Sequence, residues 1–162
     1  MRTRKLLTGV ALLNRARELG VNTDGDARLR ETFSGAQLGL EMIKLFDSTE
    51  IRRARRQFSS ELLSGKRANE QRVLDFFETL ALYQHKGRID EDTVYSSFSY
   101  WIERYWAASR EHVAELRKVH GDEGLYADFE ELNNETLKLD GAGIPSGATV
   151  KRFLIDEASL PK

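Results

Sequence analysis

The chain has 162 residues, with 25 basic and 26 acidic side chains, a formal net charge of −1 and no cysteine. The near-neutral balance excludes a global positive field that would attract nucleic acids or acidic membranes. The lack of cysteine excludes disulfides, thiolate metal sites and a cysteine nucleophile. The length predicts one domain, and few prolines, many helix-favouring residues and no long β-branched alternation predict an all-α fold.

The first predicted element is an amphipathic helix within residues 1–17, where Leu6, Val10 and Leu13 share one face. Its apolar run is much shorter than the roughly 20 residues needed to span a bilayer, and no small-residue cleavage site follows it. We therefore expect a cytoplasmic protein, with attachment of residues 1–17 to a membrane surface as the alternative. A loop completes this N-terminal segment, residues 1–34.

Two predicted helices follow, of which the second is basic. We expect the first, a short helix, to begin at a capping box formed by Ser34 and Gln37. The run Asp47-Ser48-Thr49-Glu50 begins the basic helix in the same way, and the inner stripe of this helix contains Ile51 and Phe58. The one concentration of positive charge in the sequence lies on its outer face and just beyond: Arg52, Arg53, Arg56, Lys66 and Arg67. Such a cluster indicates either a solvated helix face or a phosphate-binding surface.

Arg55 differs from its neighbours because the helical wheel places it beside the inner stripe. A buried arginine needs a carboxylate partner, since removing an unpaired charge from water is costly. We therefore predict a structural ion pair between Arg55 and Glu78, with Asp75 as the alternative acceptor.

The centre of the predicted fold is an antiparallel αα-hairpin within residues 70–118. Apolar side chains cover about half of its first helix, which indicates packing against several neighbours. Lys86-Gly87 is a typical helix end, and Asp90 is a typical N-cap for a second helix that we expect to run to about residue 118. So short a connection predicts two adjacent antiparallel helices.

The second hairpin helix is rich in aromatic residues between positions 95 and 106. Helical spacing places nearly all of them on the buried face, which favours a core role over a base-stacking platform. Tyr100 alone faces the polar side, and we predict that it offers an exposed contact.

The C-terminal region completes a single-domain bundle of six or seven helices, with residues 35–140 as the bundle core. Between residues 119 and 140 there are seven acidic side chains and one lysine. Residues 141–147 are rich in glycine and predict a flexible link. Residues 148–162 then predict a helix that docks on the body through Val150, Phe153 and Leu154.

No motif predicts catalysis, a metal site or a cofactor. Di-metal sites in helical bundles need paired Glu-x-x-His motifs, and His85, His112 and His120 all lack an acid at that offset. The nucleophile elbow, the phosphate loop and the dinucleotide fingerprint are also absent from the sequence. We therefore expect a protein that is not an enzyme.

Four segments carry a pattern of helix-packing residues: LFDSTEIRRARRQF at 45–58, VLDFFETLALYQHKGRIDEDTV at 73–94, the pair Tyr105-Trp106, and RFLIDEASL at 152–160. In these segments the chain resembles a family of small bacterial proteins, the domain-of-unknown-function family 4760. The resemblance implies a helical fold and no particular active site, because the family has no assigned activity. Its members often carry an N-terminal membrane segment, from which this chain departs because its apolar run at 6–13 is too short.

Together these features favour a non-enzymatic protein-interaction or accessory module of bacterial or mobile-element origin, which includes a small phage-type inhibitor of a host machine. The expected partner is another protein or a second copy of the chain. The alternative is a nucleic-acid-binding protein that uses the basic residues between 52 and 67.

Overall fold

The computed structural model describes the backbone of residues 27–162 and the side chains of residues 34–162. Six α-helices follow one another in this part of the chain: α1 (Ala27–Phe46), α2 (Thr49–Leu63), α3 (Arg72–His85), α4 (Glu91–His120), α5 (Ala127–Asp140) and α6 (Gly147–Ala158). The predicted all-α bundle is confirmed. The predicted helix within residues 1–17 lies outside the described residues. None of the six helices is both long enough and apolar enough to cross a membrane.

The helix boundaries follow from local capping chemistry. The Ser48 hydroxyl accepts a hydrogen bond from the Ile51 amide at 3.2 Å, and Asp90 Oδ1 accepts one from the Thr93 amide at 2.8 Å. Gly87 closes α3 with a φ of +67°, a conformation that costs glycine little. The predicted helix start at Asp90 and the predicted stop at Gly87 are thus confirmed, and within the predicted start at residues 47–50 the cap is Ser48.

One predicted boundary is wrong. Ser34 lies inside α1, which already begins by Ala27, so the expected capping box with Gln37 does not start a helix. The preceding residues ARLRETF contain no proline or glycine. Because most of these residues favour helix, nothing stops the helix from running through Ser34.

The hairpin of α3 and α4 forms the centre of the bundle, as predicted. Helix α5 packs against both hairpin helices, whereas α6 packs mainly along α2 and reaches α4. The core between these helices is largely aromatic, and the rings of Phe77 and Phe129 stack at 4.9 Å between centroids. Phe58 and Tyr105, which come from α2 and α4, are also fully buried. Burial of each such ring contributes about 1.5–3 kcal/mol.

Helix α1 approaches the α3–α4 turn closely at Gly35. A Cβ atom added to Gly35 would lie only 2.9 Å from the carbonyl oxygen of Arg88. Backbone atoms of a tight turn move less readily than a side-chain end, so this contact requires glycine.

We expect Gly35→Ala to lower the free energy of unfolding by about 1 kcal/mol, because the cost of overpacking exceeds the helix propensity that alanine adds. Urea unfolding followed by circular dichroism measures the change. Gly147→Ala is the matched control, since a Cβ there meets no atom within 4 Å. Equal stability of the two variants would show that α1 does not pack this closely on the turn.

Candidate functional site

Helix α2 presents its arginines to two different environments. Arg55 is buried, with 4% of its surface exposed, whereas Arg52 and Arg53 are exposed. The cause is the helical period, because residues one position apart on a helix differ by about 100° in direction. The inner arginine forms a structural network, and the outer ones form a surface.

The inner network joins Arg55 of α2 to Glu157 of α6. The guanidinium donates from Nε to Oε2 at 2.7 Å and from Nη2 to Oε1 at 2.8 Å. This bidentate arrangement is the strongest form of an arginine–carboxylate contact. Both side chains are less than a tenth exposed, so the pair is shielded from solvent screening.

Tyr105 and Phe46 also contact this pair. The Tyr105 hydroxyl of α4 donates to Glu157 Oε2, and the Arg55 guanidinium carbon lies 4.0 Å from the centroid of the Phe46 ring. Burial together with the Glu157 charge holds the pKa of Tyr105 well above its usual value. Burial lowers the pKa of Arg55, but Glu157 raises it, and the net direction is upward. The network therefore stays ionised at Arg55 and protonated at Tyr105.

The predicted partners of Arg55, Glu78 and Asp75, are wrong. Glu78 Oε2 instead accepts the backbone amide of Phe129 at 2.7 Å, and Asp75 Oδ1 accepts the Tyr126 hydroxyl at 2.9 Å. Both carboxylates are engaged at the start of α5, because α5 packs on that side of α3. Helix α6 lies along α2 and brings Glu157 to Arg55 instead.

A sequence signal for Glu157 was present. It lies three residues after Leu154 and four after Phe153, so it shares the apolar stripe of α6. A carboxylate at such a position requires a buried cation, and Arg55 is the arginine on an apolar stripe. Pairing the two inward charges would have predicted the contact between α2 and α6.

The outer face of α2 borders a cleft of about 410 Å³. Its lining consists of Thr49, Arg52, Arg53, Arg56, Pro161 and Lys162. We call this feature the basic cleft. Arg56 holds the segment after α6 in place by donating to the carbonyls of Leu160 at 3.3 Å and Pro161 at 3.2 Å.

The structure brings together only part of the predicted basic patch. Arg52, Arg53 and Arg56 share the basic cleft. Lys66 borders a neighbouring depression that also includes Arg56. Arg67 lines neither depression and lies close enough to His112 to lower its pKa.

Tyr100 is 40% exposed, and it packs against other side chains of the fold. The Arg104 guanidinium lies 3.8 Å from the centroid of its ring, and the ring meets Phe153 of α6 edge-on at 5.9 Å. Tyr100 thus covers the joint between α4 and α6, and whether it contacts a partner stays a prediction.

The three histidines have different surroundings. His112 is buried beside the ring of Phe58, and burial lowers its pKa. His120 is exposed at the end of α4. His85 lies against α5, where it could share a metal ion with Glu131 and Glu135.

No motif in the sequence indicates the group around His85, because its side chains come from two helices and do not form a Glu-x-x-His motif. Burial lowers the pKa of His85, but a hydrogen bond to Asp128 and the charges of Glu135 and Glu131 raise it, and the net direction is upward.

A profile of the family described as Domain of unknown function (DUF4760) matches residues 22–136. The chain belongs to this family. The match includes all of α1 to α4 and most of α5, and it ends before α6. Glu157 and Lys162 therefore lie beyond the matched region. No curated protein and no solved structure matched the chain.

We expect Glu157→Gln to lower the free energy of unfolding by about 3 kcal/mol, because it leaves the Arg55 cation buried without its counter-charge. Urea unfolding measures the loss, with Asp156→Asn as the control on the exposed side of α6. The double variant Arg55→Leu/Glu157→Leu should lose less than the sum of the two single leucine variants. An unchanged midpoint for Glu157→Gln would contradict this account of the network.

Proposed function

We propose that this protein is a non-enzymatic interaction module whose basic cleft binds an acidic segment of a protein partner. The observation that carries the proposal is the clustering of four cations, Arg52, Arg53, Arg56 and Lys162, around one open cleft. The side chains of Arg52 and Arg53 have no ion pair or hydrogen bond with any residue in 34–162. No residue of this described part occupies their guanidinium groups, which can form bidentate contacts with carboxylates.

A role without catalysis is supported by the chemistry of the lining. Within the described residues, the side chains that border the cleft are four cations, a proline and a threonine, and none is a carboxylate or a histidine. General acid–base catalysis near neutral pH uses such groups. The buried carboxylate on the inner side of α2, Glu157, is held by Arg55 and Tyr105 inside the core.

An acidic protein segment suits the cleft better than a nucleic acid does. Single-stranded nucleic acids bind on aromatic platforms as well as on cations, and no aromatic side chain of the described part lines the cleft. A duplex needs many phosphate contacts along a track, whereas only three of the predicted basic residues, Arg52, Arg53 and Arg56, line the cleft. A compact group of arginines matches a short run of carboxylates.

The proposal includes an accessory module of bacterial or mobile-element origin, and also a phage-type inhibitor of a host machine, because each of these acts by binding. The partner is a separate protein or a second copy of the chain. The acidic helix α5 makes the second copy a candidate, since none of its five carboxylates is fully buried.

The first test is the affinity for a fluorescein-labelled peptide rich in glutamate, measured by fluorescence anisotropy at low ionic strength. We expect binding by the native chain and at least about a tenfold loss on Arg52→Glu/Arg53→Glu, because the field at the cleft reverses. Arg110→Glu/Lys118→Glu is the matched control, since it makes the same change of net charge on exposed positions of α4.

Labelled single-stranded and duplex DNA are titrated in parallel. Tighter binding of DNA, with a steep loss of affinity between low and moderate salt, would replace the proposal with the nucleic-acid alternative. Equal losses in the two double variants would show that net charge matters and the cleft does not. Light scattering of the native chain alone distinguishes a monomer from a self-associated form.

A further inference from the structure

A cluster of ionisable side chains joins the end of α3 to the face of α5, away from the residues of the basic cleft. His85 comes from the last turn of α3. Asp128, Glu131 and Glu135 come from α5 at intervals of three and four residues, so they lie along one face of that helix. The ligand atoms of His85, Glu131 and Glu135 all lie within 4.8 Å of one another.

The orientation of the His85 ring is set by Asp128. Nδ1 of His85 donates to Asp128 Oδ1 at 2.9 Å, and this contact leaves the lone pair of a neutral imidazole on Nε2. Metal-binding histidines have this arrangement, in which one ring nitrogen donates to a carboxylate and the other faces the ion.

The second ring nitrogen faces Glu135 without a hydrogen bond. Nε2 of His85 and Oε2 of Glu135 are 3.5 Å apart, and neither atom has a hydrogen-bond partner among the described residues although both are buried. Buried polar atoms are nearly always satisfied, so an unsatisfied pair that faces each other requires an explanation.

The distance between His85 Nε2 and Glu135 Oε2 matches the distance between two ligands of one metal ion better than it matches a hydrogen bond. A hydrogen bond between them would be about 2.7–3.2 Å long. Two ligands of a tetrahedral zinc ion, with bonds of about 2.0–2.1 Å, lie about 3.3 Å apart. The observed 3.5 Å is close to the tetrahedral edge and too long for a good hydrogen bond.

We propose that His85 Nε2, Glu135 and Glu131 bind a divalent transition metal, with zinc as the best fit, and that Asp128 positions the histidine. A nitrogen ligand favours zinc over calcium and magnesium, which prefer oxygen and need more ligands than these two carboxylates supply. Glu131 is exposed, so its side chain can rotate onto an ion that enters from solvent. The fourth position is open to water, and the ion ties the end of α3 to α5.

The test is isothermal titration of zinc chloride into the full chain without a polyhistidine tag, after dialysis against a chelator. We expect one ion per chain and a visible absorption spectrum typical of tetrahedral geometry when cobalt replaces zinc. His85→Gln and Glu131→Gln should each weaken zinc binding at least about tenfold, because each removes one of three protein ligands.

Asp128→Asn should weaken binding by about 10- to 100-fold while the one-to-one stoichiometry remains, as expected of a residue that orients a ligand. His120→Gln is the control, because it removes an exposed histidine from the end of α4. Circular dichroism checks that every variant folds. If His85→Gln fails to fold, Glu131→Gln still tests the proposal, because Glu131 is exposed and its replacement does not disturb the core.

Two results would overturn the proposal. If the native chain takes up no stoichiometric zinc, His85 acts instead as a protonated bridge between Asp128 and Glu135. If zinc binds with the same affinity after Glu131→Gln and His85→Gln, the ion lies elsewhere on the surface. Neither result bears on the basic cleft, which shares no residue with this cluster.

Discussion

The buried contact between Arg55 and Glu157 is the interaction on which the arrangement of the helices depends. Each charge is almost completely removed from water, and each is stable there only because the other is present. The contact joins α2 to α6, and the Tyr105 hydroxyl adds α4 to the same carboxylate. Movement of α6 away from the body would carry Glu157 with it and leave Arg55 without its counter-charge, so the contact favours the docked position of α6.

That position also creates the candidate interaction surface. Because Glu157 is held against α2, the residues that follow α6 run along the outer side of the same helix, where Arg56 binds the carbonyls of Leu160 and Pro161. Lys162 then joins the arginines of α2 around the basic cleft. The buried and exposed arginines of α2 thus have linked roles. Arg55 fixes α6 through Glu157, and the segment after α6 then brings Lys162 to the basic cleft.

Charge is organised locally in this protein although its total is close to zero. The cations cluster on α2, and acidic side chains cluster on α5, where Asp128 and Glu135 surround His85. A net charge of −1 conceals this separation. Local fields matter more than the total for a binding surface, because screening in salt confines electrostatic attraction to about 8–10 Å.

The sequence alone determined the helices, because their signals are local. The caps at Ser48 and Asp90, the stop at Gly87 and the apolar stripes all act over a few residues, within reach of a single helix turn. The local pattern at Ser34 predicts a helix start wrongly for the same reason, since a capping pattern marks a start only where the preceding residues are not helical.

Only the tertiary structure decided which side chains meet. Arg55 and Glu157 are 102 residues apart in sequence, and His85 and Asp128 are 43 apart. Several carboxylates could satisfy an inward arginine equally well, so its partner depends on which helix docks beside it. That choice follows from the packing of all the apolar stripes together, which no single stretch of sequence contains.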